Sequence, residues 1–401
     1  MPVTKKKKML RRAGKKTPAP VLLEEDGSAL SASQLADLFR TVEKTVRKYS
    51  VGQDSIIRML LLAVLAQEHA ILVGPWGCNK TAVINMVLHL LGEKPFCVTL
   101  DKYTPPEALL GMYSTRLLKE HDIWKRNMNG MLPTARFAFI GEVFRGNGAV
   151  RASLHTIMNE RYVDNGGEHV PVPTHSVFLD SNSYPVRDED MPFYDRIILR
   201  SAVSYLPGNA TADFKRMLSQ EEFVPAQHTP LCTWGDIADA HAAAMRVDVS
   251  TDLHGLLYEI RGGLLANDVV LSDRRYRKAI RVLQASAFLR GATAVGSSDL
   301  NALRYVLWRT PKDLDALEAT LQAYAGSATV EERDKEMLDA AQEIFDKLIA
   351  DTQKSANGLD VENATVALST ITDTAQRITD KKMRAKVLTM IADIEQMITG
   401  A

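Results

Sequence analysis

The chain has 401 residues, of which 46% are hydrophobic and 24% charged, and its 49 basic residues balance 49 acidic ones. This length allows two or three domains of ordinary globular composition. No apolar run approaches the roughly 20 residues of a membrane span, and the polar N-terminus lacks the apolar segment of a secretory signal. Because Cys78, Cys97 and Cys232 form no disulfide or metal-binding pattern, we expect a cytoplasmic protein.

Residues 1–30 are predicted to form a basic, disordered tail. Eight lysines and arginines precede the first acidic residue, and the segment shows little periodicity. Such a tail could bind nucleic acid or an acidic surface, or it could serve only for solubility.

Two amphipathic helices are predicted next, over 31–49 and 55–67, and short apolar runs then alternate with helical stretches as far as residue 206. The strand candidates are 70–73, 96–100, 137–140, 176–179 and 197–199. Such alternation favours a largely parallel sheet with helices on both faces.

Two hairpins are predicted to interrupt the alternation. One pairs 113–118 with 123–126, and the other pairs 161–163 with 169–172 around an Asp-Asn-Gly-Gly turn. From about residue 214 onward only helices are predicted. The proposed division is tail 1–30, α/β nucleotide-binding core 31–206, helical lid 207–310 and helical C-terminal extension 311–401.

The strongest functional motif follows the first strand candidate, at residues 74–81. A strand, a glycine-rich turn, Lys-Thr and a helix make up the phosphate-binding P-loop, whose backbone N–H groups and helix N-terminus attract phosphate. Lys80 would reach the β- and γ-phosphates, and Thr81 would ligate Mg²⁺. Asn79 replaces the second glycine but tolerates left-handed backbone angles. The predicted nucleotide-binding residues are Gly74, Pro75, Trp76, Gly77, Cys78, Asn79, Lys80 and Thr81.

The run 137–140 with Gly141 and Glu142 has the form of a Walker B strand, which normally ends in Asp-Glu. The Asp helps to hold Mg²⁺, and the Glu orients and deprotonates the attacking water. Glu142 retains the second role, whereas Gly141 supplies no carboxylate.

Other polar positions could approach the γ-phosphate. Asn182 could position the water or simply begin a turn. Arg196 could be an arginine finger that enters a neighbouring subunit's site, or it could form a surface salt bridge. The helix start at 272–277 carries several guanidiniums, one of which could face the γ-phosphate.

Together these motifs resemble those of the MoxR AAA+ ATPases, over roughly residues 30–310. Segments 156–161, 193–196 and 272–288 look most similar to the RavA-like branch of that family. The motifs that occur in the family's order are Val51-Gly-Gln53, 74–81, Gly141-Glu142, Asn159-Glu-Arg161, Asn182, Tyr194-Asp-Arg196 and Ser272-Asp-Arg-Arg275.

The resemblance implies an α/β P-loop AAA+ core with a parallel sheet, an all-α lid and a hexameric ring with ATP between subunits. The helical C-terminal extension does not clearly match the partner-binding insertion of the RavA-like branch. It further implies that Lys80, Thr81 and Glu142 act from one protomer and Arg196 from its neighbour. Asn182 would be sensor 1, and Arg274 or else Arg275 would be sensor 2. Val51 and Gly52 would lie near the adenine, and 113–126 would be the helix-2 insert.

Gly141 departs from the family pattern, and we hypothesise that Asp180 compensates for it near Mg²⁺. In this fold the sensor-1 strand adjoins the Walker B strand, and Asp180 shares a strand face with Asn182. A buried, unpaired Asp is costly, so a bound metal would explain its place in an apolar strand. Pairing with an arginine or capping a turn is the alternative.

The sequence therefore predicts an ATP-hydrolysing, MoxR-type ring that requires Mg²⁺ and remodels a protein partner, commonly together with a von Willebrand factor A-domain protein. One alternative is an ATP-binding scaffold in which Gly141 has ended turnover. A second alternative, suggested by the basic tail, is a nucleic-acid-associated motor.

Overall fold

The computed structural model describes residues 30–325, most positions of 338–349, and the helices Val361–Arg377 and Lys381–Thr399. The predicted basic tail and much of the C-terminal extension lie outside the described residues. Among the residues that are described, no helix has both the length and the apolar character needed to cross a bilayer.

A five-stranded parallel sheet forms the centre of the fold, in the order β2-β3-β6-β1-β7. The predicted α/β core with a parallel sheet is confirmed. The strands of the molecule are β1 Ala70–Val73, β2 Phe96–Thr99, β3 Phe137–Gly141, β4 Tyr162–Asn165, β5 Glu168–Pro171, β6 Ser176–Ser181 and β7 Leu199–Ala202.

Alternate residues of the central strands enter two different apolar clusters. Ala70 and Leu72 of β1 belong to one, and Ile71 and Val73 belong to the other. This is the two-residue period of a strand that is buried on both faces. The helices around the sheet and beyond it are α1 Ala32–Lys48, α2 Asp54–Ala66, α3 Lys80–Leu90, α4 Glu107–Leu110, α5 Thr115–His121, α6 Gly148–His155, α7 Met191–Arg196, α8 Thr211–Ser219, α9 Trp234–Ala244, α10 Thr251–Leu265, α11 Asp273–Arg290 and α12 Asp313–Ala325.

The two hairpin predictions had opposite outcomes. Strands β4 and β5 pair antiparallel around Gly166 and Gly167, which both have positive φ, so that hairpin is confirmed. The predicted hairpin at 113–126 is wrong, because its first arm is helix α5. Ser114 caps this helix by accepting a hydrogen bond from the Leu117 backbone N–H at 3.3 Å, and one isolated bridge joins Tyr113 to Arg126.

Helices α9 to α12 and a 3₁₀ segment, Ser297–Tyr305, form an all-helical lid whose apolar residues continue the cluster on one face of the sheet. Helix α12 belongs to this packing through Leu317 and Leu321, although the sequence division placed it in the C-terminal extension. The two last helices bury Ile371, Val387 and Ile394 in a separate apolar cluster.

Candidate functional site

The segment after β1 forms a tight loop that restricts which residues can occupy three of its positions. Gly74 lies so close to the end of β7 that an added Cβ would come 2.1 Å from the Val203 carbonyl oxygen. Gly77 has φ +77°, and Asn79 has φ 58° and ψ 20°. Asn79 therefore adopts the left-handed conformation, which Asn tolerates better than most other non-glycine residues. The loop can thus turn into α3 without the second glycine.

Lys80 begins helix α3 and folds back over this loop. Its side chain is buried, and Nζ donates to the carbonyl oxygens of Gly74 and Pro75, the latter at 3.0 Å. Nζ also donates to Oδ1 of Asn182 at 3.2 Å. Thr81 follows at the exposed first turn of the helix. The ammonium group therefore lies where a phosphate group could replace its carbonyl partners.

Asn182 links Lys80 to Glu142. Its Nδ2 donates to Oε1 of Glu142, while its Oδ1 accepts from Lys80. Glu142 itself lies in the left-handed region at φ 53°, directly after β3, and its other carboxylate oxygen is 3.4 Å from Nε of Arg145. The predicted sensor-1 and water-activating residues thus meet at the carboxyl edge of the sheet, beside the P-loop lysine.

Asp180 occupies the space beside Gly141. A Cβ added at Gly141 would lie 3.4 Å from Oδ1 of Asp180 and 3.0 Å from Oγ1 of Thr99. The same Asp180 oxygen accepts from the Glu142 backbone N–H at 2.9 Å. Burial raises the pKa of Asp180, while the Glu142 N–H bond and nearby Lys80 oppose that rise. A carboxylate of the adjacent strand therefore lies beside the position at which the Walker B strand lacks one.

The oxygen ligands at this edge suit a metal ion that binds together with a nucleotide better than a metal ion that the protein holds alone. The described residues contain no cluster of three His, Cys, Asp or Glu side chains able to hold a metal alone. Thr81 and Asp180 offer hard oxygen ligands, which suit Mg²⁺ when phosphate oxygens and water complete its shell. The Mg²⁺ expectation is chemically compatible with this site.

A cavity of about 670 Å³ adjoins the P-loop and has the size of a small-molecule site. Gln53 lies at its wall, where Nε2 donates to the Cys78 carbonyl at 2.6 Å and the buried Oε1 has no partner. Its remaining walls come mainly from the segment after β7 and from α8. Residues that line it include Val51, Gly52, Gly77, Cys78, Asn79, Tyr205, Leu206, Phe214 and Met217.

A second, basic cavity of about 280 Å³ lies at the opposite, amino edge of the sheet. Arg196 and Arg274 both line it, together with Arg161, Lys278, Glu68 and Glu160. The Arg274 Nη1 is 3.5 Å from Oδ2 of Asp195. Burial and then the charge of Arg274 lower the pKa of Arg196, which agrees with the two guanidiniums being close neighbours.

Strand polarity separates these two groups within one chain. Lys80, Glu142 and Asn182 follow the carboxyl ends of parallel strands, whereas Arg196 precedes the amino end of β7. Four strand residues span roughly 13 Å. The structure therefore brings Lys80, Glu142, Asn182 and Asp180 together, but it does not bring Arg196 or Arg274 to them.

Arg275 has a different environment from the one expected of a nucleotide ligand. It is fully buried and donates only to backbone carbonyls, so no part of it is available to a nucleotide in this conformation. Burial, and next the charge of Arg200, lower its pKa well below the usual value. Arg200, which the sequence analysis did not single out, is buried beside it and also donates to backbone carbonyls.

Comparison with known families fits both parts of the molecule. Residues 37–229 match the MoxR domain of the MoxR-vWA-beta-propeller ternary systems, and residues 252–321 match an AAA lid domain. These two matches together support a MoxR-type AAA+ ATPase. Membership in the RavA-like branch stays a prediction.

The relatives of this chain are distant in sequence. An uncharacterized protein of Methanocaldococcus jannaschii is 26% identical over 90% of this chain and 97% of its own length. The chaperone MoxR1 of Mycobacterium tuberculosis is 22% identical over 51% of this chain and 55% of its own. A crystal structure of a candidate ATPase from Cytophaga hutchinsonii shares the fold, with a TM-score of 0.57, 20% identity, and coverage of 69% of this chain and 87% of its own.

Proposed function

We propose that this MoxR-type protein binds and hydrolyses ATP. The observation that supports the proposal most directly is the chain of hydrogen bonds from Lys80 through Asn182 to Glu142. It places a phosphate-binding cation, a polar sensor and a candidate general base side by side. The adjoining 670 Å³ cavity has room for the nucleoside.

Each residue of this group has a distinct role in the proposal. Lys80 exchanges its carbonyl partners for the β- and γ-phosphates, and the N–H groups of the loop bind the remaining phosphate oxygens. Glu142 accepts a proton from the attacking water, and Asn182 holds that water in line. Thr81 and Asp180 would hold Mg²⁺, whose positive charge lowers the repulsion between phosphate oxygens.

The adenosine part is proposed to enter the cavity between the P-loop and α8. Val51 and Gly52 form one wall, and the side chains of Phe214 and Met217 supply apolar surface. The unpartnered Oε1 of Gln53 is an acceptor at this wall. A ligand with amino hydrogens, such as adenine, would satisfy it.

Arg196 and Arg274 are proposed to act on the nucleotide of a neighbouring copy. Because they lie at the amino edge of their own sheet, a second protomer has to bring its P-loop to them. Such head-to-tail contacts form a ring when the rotation between copies closes, and a hexamer is the proposed ring. The match to MoxR-vWA systems supports a von Willebrand factor A-domain partner and a chaperone-like remodelling activity.

A second candidate function is an ATP-binding scaffold that does not turn over. The absence of a side chain at Gly141 favours it, since the usual metal-binding carboxylate is missing from β3. In that case ATP would stabilise the assembly without being consumed.

Steady-state ATP turnover with Lys80→Ala and Glu142→Gln separates these candidates. For a hydrolase, Lys80→Ala abolishes both binding and turnover, whereas Glu142→Gln lowers kcat by roughly 10²- to 10⁴-fold and keeps ATP bound. Glu259→Gln, an exposed glutamate of α10 that lines neither cavity, is the matched control and keeps both ATP affinity and turnover. ATP binding without wild-type turnover would instead support the scaffold.

A further inference from the structure

Two buried guanidiniums hold the short segment that carries Arg196. Arg275 of α11 is 0% exposed, and Arg200 of β7 is 1% exposed. Both donate to backbone carbonyl oxygens of the segment 194–198. A buried cation is costly to desolvate even when carbonyl oxygens accept its hydrogen bonds. We therefore ask which function of the segment would balance that cost.

Arg275 contacts the carbonyls on both sides of Arg196. Its Nη1 donates to the carbonyl oxygens of Asp195 at 3.3 Å and Ile197 at 3.0 Å, and its Nη2 donates to Ile198 at 2.7 Å. Its Nε donates to Val306 of the lid at 2.8 Å. One side chain of the lid therefore fixes the backbone before and after Arg196.

Arg200 completes the attachment from the strand side. Its Nη2 donates to the Tyr194 carbonyl at 2.6 Å and its Nε to the Ile197 carbonyl at 3.2 Å. Its Nη1 donates to the Trp308 carbonyl of the lid at 2.8 Å, and the guanidinium lies 3.6 Å from the Tyr194 ring centre. The two arginines thus share the Ile197 carbonyl and both reach the lid.

The side chain of Asp195 ties the same segment to the start of α11. Its two oxygens accept from Oγ of Ser272 at 3.0 and 2.9 Å, and one is 3.5 Å from Arg274. Its negative charge also favours the charged form of both buried guanidiniums, against the effect of burial on their pKa values. Arg196 and Arg274 therefore belong to two segments, one of the core and one of the lid, that hydrogen bonds join to each other.

We propose that Arg275 and Arg200 are positioning residues that fix Arg196 and Arg274 in one geometry for a neighbouring nucleotide. This inference rests on the proposed ATP hydrolysis between subunits. Movement of the lid would carry both guanidiniums together, so the state of the lid would set their approach to the neighbouring site. Lysine cannot replace either arginine, because an ammonium group lacks the planar fork that reaches several carbonyls at once.

The first test measures the position of the segment directly and does not need turnover. In Arg275→Lys, amide hydrogen exchange across residues 191–199 should become at least about tenfold faster, because the carbonyl anchors are lost. Asp299→Asn is the matched control. Asp299 is 1% exposed and binds Ser286 and Arg290 within the lid, away from the segment. The control should leave exchange at 191–199 unchanged.

The second test is a double-mutant cycle on kcat. Arg275→Lys should lower kcat by roughly 10- to 100-fold through misplacement of Arg196, while ATP affinity at its own P-loop stays unchanged. In the Arg196→Ala background it should lower kcat by less than it does in the wild type, because only its effect through Arg274 remains, whereas Asp299→Asn should act additively with Arg196→Ala. If Arg275→Lys does not fold, Arg200→Lys can replace it in both tests, because it removes hydrogen bonds to the Tyr194 and Ile197 carbonyls of the same segment.

Unchanged exchange at 191–199, or additive effects of Arg275→Lys and Arg196→Ala, would overturn the inference. Failure of the proposed function has a different result, which is absence of ATP turnover in the wild type. In that case the exchange experiment alone decides whether the buried arginines position the segment.

Discussion

The two edges of the central sheet carry complementary halves of one proposed site. The carboxyl edge holds the P-loop, Asn182 and two carboxylates, and it borders an open cavity for a nucleoside. The amino edge holds Arg196 and Arg274 in a smaller basic cavity. In the proposed mechanism one half binds the nucleotide and activates the water, and the other supplies positive charge. Neither half would then be complete for phosphoryl transfer within a single chain.

The halves also differ in how they are built. Glu142 and Asn182 at the carboxyl edge directly follow strand ends, so the pairing of β3 with β6 sets their spacing. The arginines at the amino edge depend on the junction between core and lid, where Arg275 and Arg200 bond to backbone carbonyls. The second half should therefore be more sensitive to lid position.

The largest effect is expected at Arg274. Arg274→Ala should lower kcat by roughly 10²-fold and leave ATP affinity unchanged, because Arg274 approaches a nucleotide bound by another copy. Arg277→Ala, one turn along the same helix and outside the basic cavity, is the control and should retain near wild-type kcat. Loss of ATP affinity in Arg274→Ala would instead assign Arg274 to its own protomer's site.

A smaller effect is expected from restoring the Walker B carboxylate. In Gly141→Asp the new side chain would crowd Thr99 and lie beside Asp180, so two carboxylates would repel each other. We expect kcat to fall about tenfold, and Asp180→Asn in the same chain should recover most of the loss.

Asp180→Ala alone should weaken Mg²⁺-dependent turnover, whereas Asp188→Ala, at an exposed position, should not. Increased turnover in Gly141→Asp would show that Asp180 does not compensate. So would an unchanged Asp180→Ala in a protein that Glu142→Gln inactivates.

The smallest effect concerns acid stability near the amino edge. Burial lowers the pKa of His69 to about 3 and that of His175 to about 4, with Arg161 adding to both shifts. Because the unfolded state takes up these protons first, the stabilisation is complete above pH 6.5 and is lost as pH falls toward 4.

We expect Tm to fall by several degrees between pH 7 and pH 5, and His175→Gln to reduce this slope. A Tm that does not change over this range would contradict the neutral, buried state of these histidines. It would also remove the expectation that acid weakens the amino edge first.

Much of the carboxyl-edge half could be predicted from the sequence, because its motifs are contiguous and end strands of recognisable apolar character. Four of the five sheet strands lie where the sequence predicts them, whereas the candidate 197–199 overlaps β7, Leu199–Ala202, at Leu199 alone. Ile197 and Ile198 are buried in the connection before it, and an apolar run alone does not show where pairing starts. The helix at 115–121 was missed because the Ser114 cap outweighs the strand pattern.

The amino-edge half was less predictable for a physical reason. Arg275 and Arg200 bind backbone carbonyls, which every residue possesses, so the sequence carries no partner signal for them. The meeting of Arg274 with Arg196 depends on how the lid is placed, and residue spacing does not encode that placement.

The central claim, that the two halves meet between copies, is tested most directly by mixing two variants that each lack one half. Lys80→Ala retains the arginine half, and Arg196→Ala retains the phosphate half. After equal amounts of the two are dissociated and reassembled together, we expect ATP turnover to rise to about a quarter of the wild-type value, since one interface in four pairs two intact halves. If mixed assemblies form, as shown by co-purification of differently tagged copies, and turnover stays at the level of the separate variants, the account is contradicted.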